Sequence, residues 1–203
     1  MPADSLNIFL AGTSLLPSYG GPALSVCRLA TTLEQAGARV GLWAPDQSVA
    51  SSPLLPSKTC VQRLGGTESE ALDRFGTPDI LHDNGIWLPH NHRLTLQAVR
   101  RRIPRVVSTR GMLEPWAFRH KRLKKTVAWK IFQQRDLRRA DCHHVTSETE
   151  SRNLEALGLG VPVTTVPNGV DVSDECDLSI RTHSGSNRMG PKVALFLGRI
   201  YPI

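Results

Sequence analysis

The sequence predicts an α/β protein built on a doubly wound parallel sheet. Short apolar runs alternate with stretches in helical period, and a Gly-rich turn joins the first run to the first helix. Strand, Gly-rich turn, helix, Gly and strand make a βαβ unit, which implies parallel pairing and a right-handed crossover. Polar residues also gather just after several of the apolar runs, the edge at which open α/β sheets bind their ligands.

Asn7-Ile-Phe-Leu-Ala-Gly12 is the first strand, a buried apolar run closed by Gly. SLLPSYGGPA follows as a loop. From Ala23 the apolar positions Leu24, Cys27, Leu29, Ala30 and Leu33 recur at three- and four-residue steps, a helix that Gly37 stops. Arg39 to Ala44 is the second strand. Gln47 to Lys58 is a Ser/Pro-rich loop, Cys60 to Leu64 a weak strand, and Thr67 to Phe75 a short helix. Pro78 to His82 is a strand, His92 to Arg102 a helix, and Arg105 to Thr109 a strand. One long helix is expected over roughly Phe118 to Arg139. Cys142 to Thr146, Glu148 to Leu157 and Val163 to Val166 complete the alternation as strand, helix and strand. From Asp174 to Pro191 the chain turns polar and aperiodic, which reads as a linker, and Lys192 to Leu197 is one further strand. The expected organisation is therefore a domain over 1–171, a linker over 172–191, and the first strand and turn of a second domain over 192–203.

Composition is that of an ordinary water-soluble chain, 40% hydrophobic and 21% charged, with no run of the roughly 18 apolar residues that a membrane span requires. MPADSLNIFLAG has no basic n-region and carries Asp4, so it does not read as a signal peptide, and a cytoplasmic location is expected. Cys27, Cys60, Cys142 and Cys176 form no CxxC pair, and no His stands at zinc-ligand spacing, which points to reduced thiols. A net charge of +7 predicts attraction to phosphates or anionic surfaces.

Four constellations could carry chemistry. Tyr19-Gly20-Gly21-Pro22 leads into the first helix, where free N–H groups favour phosphate; a plain tight turn is the alternative. It is not GxGxxG, and no acidic residue ends the second strand, so a dinucleotide site of that kind is disfavoured. HDNGIW, His82 to Trp87, offers donors, acceptors and a stacking face, a mixture that suits a sugar. The alternative there is a strand-capping His82 and a core Trp87. In TRGMLEPW, Arg110 can pair with a phosphate or carboxylate; Glu114 can accept from hydroxyls or merely favour a helix start. Finally, Arg119 to Arg139 sets nine Lys/Arg against Asp136 alone, with an apolar stripe of Leu123, Val127 and Ile131 and the aromatics Trp129 and Phe132. That composition suits an anionic membrane face. A stripe packed on its own sheet explains the same spacing, and nucleic acid is the third option, though no recognised nucleic-acid motif accompanies it.

Taken in order, YGGPA, LHDNGIW, VVSTRGMLEPWA, the basic stretch with its Lys pair, ADCHHVTSETE, VTTVPNGVD and VALFLGRI resemble glycosyltransferase family 4. The resemblance runs from Asn7 to Ile200. It implies the Rossmann-like N-terminal domain of a GT-B enzyme that transfers a hexose, with retention, from a nucleotide diphosphate sugar. The acceptor would be a glycan or lipid-linked molecule of polysaccharide or lipopolysaccharide synthesis. By this resemblance, Gly20, Gly21 and Arg199 meet the donor diphosphate. His82, Arg110 and Glu114 stand on the cleft wall as catalytic candidates, and Asn84, Trp87 and Trp116 are acceptor-binding candidates. It implies no metal and no cofactor beyond the donor itself, since fixed cations and helix N-termini can stabilise the leaving diphosphate. It also implies that most of the donor domain lies outside these 203 residues, so that this chain alone is expected to transfer little or nothing. Nucleic acid is not an expected partner; a peripheral position at the inner face of the cytoplasmic membrane is. The rival from another class is a non-enzymatic basic module that binds a phosphorylated ligand, an anionic surface or nucleic acid.

Overall fold

The computed structural model describes residues 5–119 and 122–170. The expected linker and the 192–203 strand with Arg199 lie outside the described residues, as do Asp171 and Cys176. The chain divides into a compact unit, Met1–Asn168, and a second unit, Gly169–Ile203. The first unit holds every strand and helix among the described residues.

Seven parallel strands form one sheet: β1 (Asn7–Ala11), β2 (Arg39–Trp43), β3 (Gln62–Leu64), β4 (Ile80–Asn84), β5 (Arg105–Ser108), β6 (Cys142–Val145) and β7 (Val163–Thr165), in the order β3-β2-β1-β4-β5-β6-β7. The helices are α1 (Gly21–Gln35), α2 (Glu68–Phe75), α3 (Pro89–Arg101), α4 (Pro115–Arg119), α5 (Arg122–Ala128), α6 (Gln134–Arg138) and α7 (Glu148–Glu155). The order reverses between β1 and β4, so the crevice of this doubly wound sheet opens there.

Both faces of the central strands are buried, which explains why they read as continuous apolar runs rather than alternating ones. Ile8 and Leu10 of β1 pack with Val26, Cys27 and Ala30 of α1, whereas Phe9 and Ala11 pack with Leu72 and Phe75 of α2 and Leu94 of α3. A third cluster unites Val107, Val145, Leu137 and Leu154. Thr67 begins α2 with a reciprocal cap: its hydroxyl accepts from the Glu70 N–H at 3.3 Å, and the Glu70 carboxylate accepts from the Thr67 N–H at 2.9 Å.

The helix expected over 118–139 is not uniformly α-helical: from Arg122 to Arg138 it runs as α5, a π-helical turn over Trp129–Gln133, and α6. Helical periodicity in a sequence cannot register such a turn, because it shifts the phase without changing composition. Of the readings open for the stripe, packing on the sheet does not hold. Leu123, Val127 and Ile131 do not pack on the sheet; they face solvent. Trp129 instead turns inward, against Trp87 and Phe118.

Candidate active site

The loops after β1 and β4 meet at the switch point because residue 85 is glycine. Gly85 holds φ +127, and a Cβ there would come within 2.9 Å of the Thr13 hydroxyl oxygen. Any other residue would be strained at that φ and would have to displace the Thr13 hydroxyl. The cleft between them is lined by Gly12, Thr13, Tyr19, Pro22, Asn84 and Arg110, among others. Gly20, at φ 83 and ψ −141, turns the chain into α1, and its N–H donates to the Pro17 carbonyl at 3.0 Å. Nothing lies within 4 Å of where a Gly21 Cβ would sit, so the N-terminal end of α1 is open.

Register separates the HDN triplet. Leu10 of β1 pairs with His82 and Ala11 with Asp83, so His82 and Asn84 share the face that α1 covers while Asp83 points to the other. Asp83, fully buried, accepts from Arg105 Nη2 at 2.8 Å and from Asn91 Nδ2 at 2.8 Å; Arg105 Nη1 continues to the Asp136 carbonyl at 3.1 Å. Asp83 thus belongs to a structural network on the far side of the sheet.

On the near side, Arg110 is the hub. It sits in the left-handed region at φ 51, inside the tight turn after β5. Its Nη2 donates to Asn84 Oδ1 at 2.7 Å and its Nη1 to Asn168 Oδ1 at 2.9 Å. Burial pulls the guanidinium below its ordinary pKa, and the Glu150 carboxylate opposes that shift. His82 lies behind it, packed edge-on against His144 with ring centroids 5.4 Å apart. Burial, then His144, then Arg110 hold the His82 pKa down to about 3, so the ring is neutral at physiological pH. Its Nε2 has no hydrogen-bond partner among the described residues.

Glu150 is the residue that sequence reasoning passed over. It accepts from Thr109 Oγ1 and the Gly111 N–H, both at 2.6 Å, and from the Thr146 N–H at 2.9 Å. It clamps both ends of the Arg110 turn to the start of α7. Burial raises its pKa, but these donors together outweigh burial and hold it below the usual carboxylate range. The available signal was Ser147-x-x-Glu150 at a helix start, which predicts a cap, and Ser147 does accept from the Glu150 N–H at 3.2 Å. The loop contact could not be read from it, because Thr109 and Gly111 are distant in sequence.

The remaining candidates are placed differently. Glu114 accepts from Asn153 Nδ2 at 2.6 Å and so ties the end of the same turn to α7. Trp87, at φ 79, donates its indole N–H to the Met112 carbonyl at 3.3 Å and packs edge-on with Phe118. Trp116 is 67% exposed. None of these three lines the switch-point cleft. Among the described residues, no three His, Cys, Asp or Glu side chains converge as metal ligands would.

The family model of glycosyltransferase family 4 matches residues 19–174, most of the chain, from the Tyr19 turn before α1 to beyond β7. The chain belongs to glycosyltransferase family 4. Its fold is that of the N-terminal, Rossmann-like domain of a GT-B glycosyltransferase. Among solved structures, that of Phytolacca americana UGT2 complexed with UDP-2fluoro-glucose and pterostilbene superposes with a TM-score of 0.52 at 13% identity. The match covers 85% of the family 4 chain and 56% of the Phytolacca protein, so this chain spans little more than half of that one. At that identity the likeness concerns the fold. No curated protein sequence matches the chain.

Proposed function

We propose that this family 4 chain forms the acceptor side of a retaining hexosyltransferase that uses a nucleotide diphosphate sugar. The carrying observation is the Arg110 guanidinium held between Asn84 and Asn168, in a cleft that also borders the open N-terminal end of α1. Glycosidic transfer from such a donor builds negative charge on the leaving diphosphate, and preorganised N–H groups and cations stabilise it. On this reading the backbone of Gly20 and Gly21 meets the diphosphate, with Arg199 as a second contact from the donor side. Arg110 supplies charge and directed donors at the reacting end. Neutral His82, buried behind Arg110 and packed on His144, acts on the acceptor only through the cleft wall that it backs. Glu114 acts through the turn it anchors, and Asn84 orients the acceptor together with Arg110.

The reading assigns donor binding to a second GT-B domain and gives no step to a metal. The acceptor is a glycan or a lipid-linked sugar of polysaccharide or lipopolysaccharide synthesis, met at the inner face of the cytoplasmic membrane. Trp87 and Trp116 serve acceptor binding only if the acceptor extends beyond the cleft.

The test is transfer from a panel of nucleotide diphosphate hexoses to lipid-linked acceptors, with a family 4 donor domain supplied. The expected product keeps the donor's anomeric configuration, and Arg110→Ala lowers the rate at least about a hundredfold. An inverted product, or full turnover by Arg110→Ala, would sink the reading. The chain without a donor domain is expected to show no turnover.

A further inference from the structure

The cleft makes no use of the surface that runs from Trp116 to Ile131. Its four large apolar side chains are out in solvent: Trp116 is 67% exposed, Leu123 84%, Val127 56% and Ile131 67%. Leu123, Val127 and Ile131 recur at four-residue steps along one helical element, and an exposed apolar stripe of this kind calls for a partner. Arg122, Lys124 and Lys130 on the same element are exposed as well. From 115 to 135 the sequence has no Asp or Glu; the first acid is Asp136, which is buried with His92 Nδ1 at 2.7 Å from its carboxylate.

The inward face of the element is already occupied. Trp129 and Phe118 pack with Trp87, Lys125 Nζ lies 5.4 Å from the Trp87 ring centroid, and Gln133 Oε1 accepts from the Trp87 N–H at 2.7 Å. The aliphatic side chains therefore cannot turn inward without displacing these rings. Nucleic acid would engage the cations but leave Leu123, Val127 and Ile131 without a partner. A surface of headgroup phosphates over an acyl boundary satisfies both chemistries at once.

We propose that this face docks on an anionic phospholipid bilayer. Leu123, Val127, Ile131 and Trp116 enter the boundary between headgroups and acyl chains, and Arg122, Lys124 and Lys130 meet the headgroup phosphates. The Gln133–Trp87 hydrogen bond joins the docking element to the loop after β4, so the bilayer lies beside the strand end that carries His82 and Asn84. Docking stands independently of sugar transfer; only its use, to bring a lipid-linked acceptor to the cleft, rests on the transfer reading.

Cosedimentation of the chain with phosphatidylcholine vesicles, with and without phosphatidylglycerol, tests docking directly. Partitioning is expected onto the anionic vesicles, weakened by salt, with a blue shift of tryptophan emission that Trp116→Phe reduces. L123E combined with I131E is expected to lower partitioning at least about tenfold. Both positions are exposed, and an unchanged melting curve checks that the variant folds. Lys124→Gln with Lys130→Gln is expected to weaken binding and flatten its salt dependence. Equal binding to neutral vesicles, no binding at all, or binding untouched by the Glu variants would overturn the proposal. So would retention on nucleic acid in place of vesicles, or a dimer that the Glu variants dissolve. Transfer to a water-soluble acceptor is expected to survive the Glu variants, so loss of docking and failure of the transfer reading give different results.

Discussion

On the β3-β2-β1 side of the sheet the interior is almost wholly apolar, whereas β4, β5 and β6 bury His82, Asp83, Asn84, Arg105, Ser108 and His143. The first side is filled by Ile8, Leu10, Val40 and Leu42 against α1 and by Phe9 and Trp43 against Leu72 and Phe75 of α2, with few buried polar groups, such as Ser48 and Ser52. Buried polar groups cost free energy unless every one finds a partner. Their concentration on one side means that half of the domain is a packing scaffold. The other half gives up some of that stability to hold side chains at the cleft and behind it. Arg105–Asp83 and Glu150 serve as framework there, while Arg110 and Asn84 reach the cleft wall.

The contrast can be broken most directly at Arg105. Arg105→Met leaves the Asp83 carboxylate buried without its cation, and thermal or urea unfolding is expected to show a loss of about 3–5 kcal/mol. Adding Asp83→Leu is expected to restore much of that loss, as for a buried pair replaced whole. A loss under about 1 kcal/mol for the single variant would mean that the polar half is not energetically distinct.

Leu42→Ala in the apolar half is expected to cost about 2–4 kcal/mol through lost burial and a cavity. That cost should not vary between pH 5 and pH 7, and a pH-dependent cost would blur the two halves together.

Acid sharpens the contrast from the other direction. Burial lowers the pKa of His82 to about 3, of His143 to about 4, and of His90 in the same direction. The unfolded chain binds these protons near pH 6.5, so the folded state binds fewer throughout the interval below it. Stability is present above that value and falls as pH drops towards the folded values. Each histidine contributes up to about 1.4 kcal/mol per pH unit in this window. Unfolding measured from pH 7 to pH 4.5 should show the decline, and His82→Asn should make it shallower; an unchanged slope would mean that His82 takes up its proton in the fold.

Glu150→Gln is the mildest of these changes. It keeps the shape of the side chain but weakens the bonds from Thr109, Thr146 and Gly111, at about 1–2 kcal/mol. Hydrogen exchange at Gly111 should quicken while amides of β1 and β2 stay protected. Equal quickening in both places would argue against a local clamp.

Much of the domain was legible in advance because parallel strands buried on both faces must be apolar, and crossover helices must show their period. Asn7–Ala11, Arg39–Trp43 and Glu68–Phe75 follow from those rules and from Gly and Thr at element ends. The motif segments after the strands also pointed to the switch-point crevice, since topology alone brings β1 and β4 side by side there. Trp87 was less legible. As an aromatic in HDNGIW it suits a sugar face, yet its partners Phe118 and Trp129 come from an element some way along the chain.

By itself the sequence determined the alternation of elements, the parallel doubly wound class and the segments that carry polar residues to the strand ends. These are local properties, set by period, turn chemistry and capping. Only the tertiary structure decided that Asp83 turns away from the cleft while Asn84 joins Arg110, that Glu150 clamps the Arg110 turn, and that Leu123, Val127 and Ile131 face solvent. Each of those depends on strand register or on contacts between distant segments. A one-residue change in register reverses a side chain's face, and Trp87, from a distant loop, takes the inward face of the 122–138 element through Trp129 and Gln133, without any mark in composition.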